Sequence, residues 1–443
     1  MRLIVKGGTV ATEKGISKIN MLVDSDKIVG FTLAETWNEA LVVDAANMFV
    51  LPGAVDSHTH ISYPEGKEDF FTGTSAAAAG GFTTVVDMDH KSGCTTEKKY
   101  REKIDVCQLK AITDFGLSAG IIVEDTDLEE LDSLARLGTP YFKLFMPLKS
   151  EYDFICQTLT ACKETGIPLG IHAEDMTLIN YFSNGLDWSD PISFVRSRPE
   201  VSEQMATAAV LEMADYCQSS VHFCHTSTAK TAELIIEAKK RGIKATIEVQ
   251  PHFLILDETS FAEKGPYVKT TPPLRSSNIK DILWRQLAAG IIDFVSSDHF
   301  YCAQTEKEMG LKDIRQAPAG IPGLEYAVAL TYHFGVNKGR IDLKRFVQVI
   351  AEAPARFCGY YPQKGVLAVG SDADFILFNP EEEWVIDSSN MFSKAGYSPY
   401  DGLCLKGKIK RTFVRGTEVY DGLSIKVSQG HGRYIPSKRL NRE

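Results

Sequence analysis

Apolar and polar positions alternate with period two along the first fifty residues. "MRLIVKGGTVA", "KINMLVDSDKIVGF" and "EALVVDAANMFVLPG" read as short antiparallel strands, each broken by Gly or Asp turn residues. The C-terminal part returns to that rhythm in "GVLAVGSDADFILFNP" and "KIKRTFVRGTEVYDG". Between the two ends the period changes. From about Gly53 to Phe357, short apolar runs alternate with helix-length segments such as "TEKKYREKIDVCQLKAITDFG", "SEQMATAAVLEMADYC" and "TAELIIEAKKRG". The strand candidates are Ala54–Asp56, Thr83–Met88, Phe115–Ile122, Tyr141–Met146, Pro168–His172, Ser220–Cys224, Ala245–Val249 and Asp293–Ser296. Eight strands with intervening helices over roughly 300 residues predict an α/β fold of the (β/α)8 TIM-barrel type. An open doubly wound sheet would also alternate, but no G-x-G-x-x-G follows an early strand.

A barrel makes a demand on the sequence, because functional residues should sit at the C-terminal ends of several different strands. Strand one ends in "DSHTH", where His58 and His60 share one side of an extended segment. Strand five ends in "GIHAED" with His172, strand six in "VHFCHTS" with His225, and strand eight in "VSSDHF" with Asp298. Imidazole nitrogen and carboxylate oxygen are ordinary ligands of zinc and similar divalent ions. Taken singly, a histidine near a strand end is more often a satisfied polar group than a ligand. The convergence of the set on one rim is what argues for a metal site.

Strand four adds Lys143, in "TPYFKLFMP", inside what otherwise reads as a buried apolar run. Burying an unpaired ammonium costs several kcal/mol or drives its pKa down. A neutral lysine amine reacts with carbon dioxide to give an anionic carbamate, which can bridge two metal ions and removes the buried positive charge. A free ammonium would be repelled by them. A Schiff-base lysine and a salt-bridged structural lysine remain open at this point, since the strand context alone excludes neither.

Composition narrows the partners. The 443 residues are 44% hydrophobic and 24% charged, enough for one large core and a smaller one. A net charge of −10 and a pI of about 5.6 argue against a nucleic-acid binder. Nine cysteines form no C-x-x-C, which fits a reducing compartment. The start has no charged region followed by an apolar run, and no apolar stretch approaches the roughly 18 residues of a membrane span. The expectation is a cytoplasmic protein with no membrane or nucleic-acid partner.

The blocks "IVKGGTV", "LPGAVDSHTHIS", "AAAAGGFTTVVDM", "FKLFM", "GIHAED", "HFCHTS", "TPPLR", "SSDH" and "PARFCGYYPQKGVLAVGSDADFILFNP" together resemble the cyclic amidohydrolases. That group of the amidohydrolase superfamily comprises hydantoinases, dihydropyrimidinases, allantoinases and dihydroorotases. The resemblance covers essentially the whole chain. It implies a small β-sandwich formed by both termini (residues 1–52 and 366–443) beside the barrel (residues 53–365). It makes His58 and His60 ligands of one metal and His172 and His225 ligands of the other. Carboxylated Lys143 would bridge the two, with Asp298 ligating the first metal and handling protons. The cofactors implied are two divalent ions, zinc first, with manganese or cobalt accepted by the same ligands. A homotetramer is the implied assembly, with a dimer as the alternative.

Particular residues sort the substrates. Dihydroorotases place Arg two residues after His-x-His, where this chain has Ser62, and show "MPNT" where it has "MDHK". D-type hydantoinases and dihydropyrimidinases carry Tyr just after the bridging lysine, where this chain has Leu148. "GVNKGRIDLKRFVQV", "YPQKG", "YSPYDG" and "VRGT" most resemble an L-type hydantoinase. The first expectation is therefore a hydantoinase, opening 5-substituted hydantoins to N-carbamoyl amino acids. Allantoinase follows, then dihydropyrimidinase, cyclic imide hydrolase and dihydroorotase, with a non-enzymatic hydantoinase-like binding protein last. Substrate contacts are expected from His90, His252, Thr271 and Gly320, and the stretch Ser150–Leu159 is a candidate lid. Cys224, between His222 and His225, is expected to face the core or the helices.

Overall fold

The computed structural model of the chain describes residues 1–61, 68–89 and 93–439. Its two ends build two stacked sheets. In the first, Arg2–Lys6 lies between Asn20–Asp24 and Leu41–Asp44, with Lys27–Thr32 at the outer edge. The second runs Gly15–Lys18, Thr9–Thr12, Phe49–Pro52, Phe375–Val385, Cys404–Val414, Thr417–Tyr420. Phe49–Pro52 pairs antiparallel with Phe375–Val385, so this sheet is knit from both ends of the chain. The alternation predicted for these stretches places Leu3, Val5, Val10, Val50, Phe375 and Leu377 in one shared core.

Phe49–Pro52 leads directly into the barrel. Its strands are β1 (Ala54–His60), β2 (Phe82–Met88), β3 (Asp114–Gly120), β4 (Phe142–Phe145), β5 (Leu169–His172), β6 (Val221–Phe223), β7 (Ala245–Val249) and β8 (Phe294–Val295). All neighbours are parallel, and the ring closes through His299–Phe300, which pairs with β1. Strand eight is therefore split: its first half pairs with β7, its second half with β1, and Asp298 stands at the break. The pattern of apolar residues marked only the first half, because the second carries a histidine and follows a polar triplet. β2 and β3 are buried at every position, as parallel strands covered on both faces must be.

The helices start where their caps lie. Thr96 accepts Lys99 N–H ahead of the helix Glu97–Gln108, and Thr228 accepts Thr231 N–H ahead of Ala229–Lys240. Tyr152–Thr165 follows β4 and buries Phe154, Ile155 and Leu159, so the stretch expected as a lid is a barrel helix. Tyr152 is 53% exposed and neither it nor Phe154 borders the cavity described below.

The closed end of the barrel is tied down by the C-terminal tail and by charge. Phe115 N–H donates to Arg433 C=O at 2.9 Å, and Ile435 N–H to Phe115 C=O at 2.7 Å. Lys364, wholly buried, contacts Asp372 at 2.8 Å and Asp374 at 2.7 Å and also pairs with Asp114 at the start of β3. This triad of aspartates is thus occupied by an ammonium and ties barrel to sandwich. No helix among the described residues is long and apolar enough to cross a membrane.

Candidate active site

The fold brings all six residues of the sequence-predicted rim to one cavity. His58, His60, Lys143, His172, His225 and Asp298 line it together, from β1, β4, β5, β6 and the break in strand eight. His225 and Asp298 take left-handed backbone conformations, φ +36° and +48°. Such values are uncommon outside glycine, though aspartate and histidine tolerate them best. They turn the chain where β6 and β8 end, at the mouth of the barrel.

The donor atoms fall into two groups. His58 Nε2 and His60 Nε2 lie 3.3 and 3.4 Å from Asp298 Oδ1. Across the cavity, His172 Nδ1 and His225 Nε2 face each other at 2.9 Å. Ligand atoms about 2.0–2.1 Å from a tetrahedral ion are separated by about 3.3 Å, so the first group has the spacing of neighbouring ligands, and the second pair, at 2.9 Å, would open by a few tenths of an ångström to take an ion.

Residues absent from the sequence reading hold these groups in place. Glu248, wholly buried on β7, accepts from His58 Nδ1 at 2.5 Å and from His225 N–H at 3.1 Å with the same oxygen. One carboxylate oxygen thereby joins the two halves of the site. His60 Nδ1 donates to Met88 C=O at 2.9 Å. His172 Nε2 donates to Glu174 at 2.7 Å, which also takes Arg198 at 2.6 Å. In each case one ring nitrogen is committed outward, which leaves the other directed into the cavity, where an ion would take the place of its proton. Asp56 accepts His58 N–H at 3.1 Å and Ser297 N–H at 3.2 Å, tying β1 to the residue before Asp298.

Electrostatics follow from burial and these partners. Burial alone would lower the His58 imidazole, but the Glu248 and Asp298 carboxylates hold it well above its usual value. Burial would raise Asp298, yet His58, His60 and His225 hold it well below the carboxylate range. Burial pushes His225 down, and His172 and Lys143 push it further. Glu174 falls to about 2 against the effect of burial, chiefly through Arg198 and His172. The first group favours a cation among its carboxylates, and the second keeps its imidazoles neutral; a divalent ion needs both conditions.

Lys143 is 3% exposed, and its Nζ has no hydrogen-bond partner among the described residues. A salt-bridged structural lysine is therefore not what the fold contains. Its paired neighbours are Gly120 on β3 and Gly170 on β5, so no side chain flanks it in that layer. A Cβ at Gly120 would lie 2.7 Å from Lys143 Cβ. The space beside the lysine therefore depends on Gly120, whereas a Cβ at Gly170 would meet the Tyr141 ring at 2.8 Å.

Of the expected substrate contacts, Thr271 and Gly320 border the cavity. Gly320 N–H is already given to Lys269 C=O at 2.9 Å, so Gly320 has no amide proton to offer a ligand. His252 is buried and not part of the described cavity lining, its Nε2 has no hydrogen-bond partner among the described residues, and burial lowers its pKa to about 4. His90 lies outside the described residues. Leu148 is 64% exposed and does not reach the cavity. Cys224 is buried beside His58 and Glu248 rather than among the helices. The sequence reading did not single out Glu248; the signal that could have found it is a carboxylate inside the short strand "ATIEV".

Comparison with known proteins gives a consistent result. A model of the amidohydrolase family matches residues 49–419. A D-hydantoinase of Ralstonia pickettii is 33% identical over 459 aligned residues, covering 99% of this chain and 99% of the relative. A dihydroorotase of Methanothermobacter thermautotrophicus is 35% identical, covering 95% and 94%. The solved L-hydantoinase (dihydropyrimidinase) of Arthrobacter aurescens superposes with a TM-score of 0.93 at 31% identity, covering 98% and 99%.

Proposed function

The chain belongs to the amidohydrolase family, and from that premise we propose that it hydrolyses the ring C–N bond of a cyclic ureide, a 5-substituted hydantoin first. The observation that carries the reading is the pair of donor groups facing each other across one cavity, with Lys143 unpaired in its wall. His58, His60 and Asp298 would hold one divalent ion, and His172 and His225 the other. Lys143, carboxylated on Nζ, would reach both. The donor set suits zinc and accepts manganese or cobalt. When bound, such ions polarise a carbonyl oxygen and bring the pKa of water down toward about 7.

The protein's own residues supply the rest. Asp298 takes up the proton released as water adds to the ring carbonyl, and its carboxylate oxygen then delivers that proton to the departing ring nitrogen. A hydantoin so opened gives an N-carbamoyl amino acid. Glu248 fixes the His58 tautomer and the His225 backbone at once, so the two donor groups keep their separation through the reaction. Phe145 packs edge-on against His172 at 4.4 Å, and Phe300 against His60 at 5.6 Å, which holds both rings and keeps that side of the cavity apolar.

Steady-state hydrolysis by metal-replete protein tests the assignment. Hydantoin, L- and D-aryl hydantoins, allantoin, dihydrouracil and dihydroorotate are compared under one set of conditions. The expected result is the highest kcat/KM on a substituted hydantoin. A preference for allantoin or dihydroorotate overturns the substrate assignment, and one divalent ion per chain or fewer in metal-replete protein overturns the two-ion site.

Glu248→Gln keeps the shape of the hub and removes its charge. Its expected effect is a loss of about 10- to 100-fold in metal affinity, read by competition with a chelator. Unchanged affinity would mean that His58 needs no anionic partner.

A further inference from the structure

Asp89 borders the active-site cavity just past the end of β2, and no step of the hydrolysis above uses it. Its neighbour two residues earlier, Asp87, is committed to the fold and accepts Ile61 N–H at 2.6 Å. Both carboxylates share Lys103 from the helix Glu97–Gln108, whose Nζ lies 2.7 Å from Asp87 Oδ2 and 3.1 Å from Asp89 Oδ1. The three side chains are 0%, 7% and 10% exposed, and Asp89 borders the cavity, so Lys103 holds its carboxylate from within the fold. Burial would lower the ammonium of Lys103, but Asp87 and Asp89 raise it, which keeps the ion pair charged.

The carboxylate of Asp89 is not one of the donor atoms grouped by His58, His60 and Asp298. The described lining of the cavity also includes the apolar side chains Met88, Ile121 and Phe145. A fixed, largely buried carboxylate at the cavity favours a partner that donates hydrogen bonds and repels an anion.

We propose that Asp89, held in place by Lys103, is a specificity-determining residue that accepts a hydrogen bond from an N–H or ammonium group on the ring substituent and disfavours rings that carry a carboxylate. The inference rests on the hydrolase reading, which places the ring in this cavity. It narrows the substrate class to donor-bearing cyclic ureides, and it separates this chain from the use of dihydroorotate despite the 35% identity to a dihydroorotase.

The test keeps the ring constant and varies only the charge of its substituent. The ligands are 5-(2-aminoethyl)hydantoin, 5-propylhydantoin and hydantoin-5-acetate. Zinc-replete wild type and Asp89→Asn are compared by kcat/KM. Kd is also measured calorimetrically in the slow Asp298→Asn background, with and without Asp89→Asn, so that binding is read whether or not turnover occurs. Asp89→Ser repeats the comparison should the asparagine variant not fold.

The expected result is a loss of about tenfold for the aminoethyl compound, a gain of about tenfold for the acetate and a change within about threefold for the propyl compound. Zinc content should stay unchanged. A parallel shift of all three ligands, no shift in any, or loss of zinc overturns the role of Asp89. Charge-dependent Kd changes with no hydrolysis of any compound would overturn the hydrolase reading and leave the role of Asp89 standing. Hydrolysis without charge dependence would do the reverse.

Discussion

Lys143→Ala should purify with fewer divalent ions than the wild type and hydrolyse its cyclic ureide at least about 100-fold more slowly, a loss equivalent to several kcal/mol of charge stabilisation. The structure explains why so large an effect is expected from one side chain that makes no hydrogen bond among the described residues. Lys143 is buried on a strand, flanked by glycine on both paired neighbours, in the same cavity as both donor groups. An uncompensated ammonium there is costly, and it would repel the cations that the imidazoles and Asp298 favour. A carbamate on Nζ, as proposed, would reverse the sign of that residue's contribution. A short-chain carboxylic acid fits the space vacated in the alanine variant and supplies an anionic oxygen pair, so added acetate or propionate should restore part of the rate and of the bound metal. Full activity in the variant would remove Lys143 from the reaction altogether, and a loss that no carboxylic acid relieves would remove the bridging role and return Lys143 to the Schiff-base alternative.

The residues that face the cavity were legible in the sequence because strand ends impose order on them. A barrel predicted from alternating apolar runs places its functional side chains at those ends, and His58, His60, Lys143, His172, His225 and Asp298 all fall there. Residues that hold the ligands in place were harder to see. Glu248 and Asp56 act through contacts between strands far apart in sequence, such as the 190 positions separating His58 from Glu248, whereas Glu174 holds a histidine only two residues away but is itself fixed by Arg198. Nothing local to "ATIEV" says which histidine its carboxylate will meet. The split of strand eight was hidden for a similar reason: His299–Phe300 is a strand only because β1 lies beside it. The expectation of a lid at Ser150–Leu159 failed on periodicity. Phe154, Ile155 and Leu159 sit at helical spacing and pack inward, while Tyr152 points to solvent.

Asp298→Asn separates the two roles that the proposed reaction gives to one carboxylate. Its Oδ1 stands 3.3 to 3.4 Å from both imidazoles of the first donor group, a spacing suited to a shared ligand, and the proposed reaction also uses it as a proton carrier. Asparagine keeps the shape and one ligating oxygen but cannot take up a proton. It also tolerates the left-handed backbone at this position, where φ is +48°, better than alanine does, so the substitution is read with little added strain. The expected outcome is a fall in kcat of about 10²- to 10⁴-fold that persists at saturating metal, with KM changed much less. If saturating metal restored kcat, Asp298 would be a ligand and nothing more, and the proton would have to travel through another group near the cavity. His252 is the buried candidate there, since its unpartnered Nε2 belongs to an imidazole that is neutral at physiological pH and close enough to Asp298 to feel its charge. In that case His252→Gln, rather than Asp298→Asn, would carry the kcat defect.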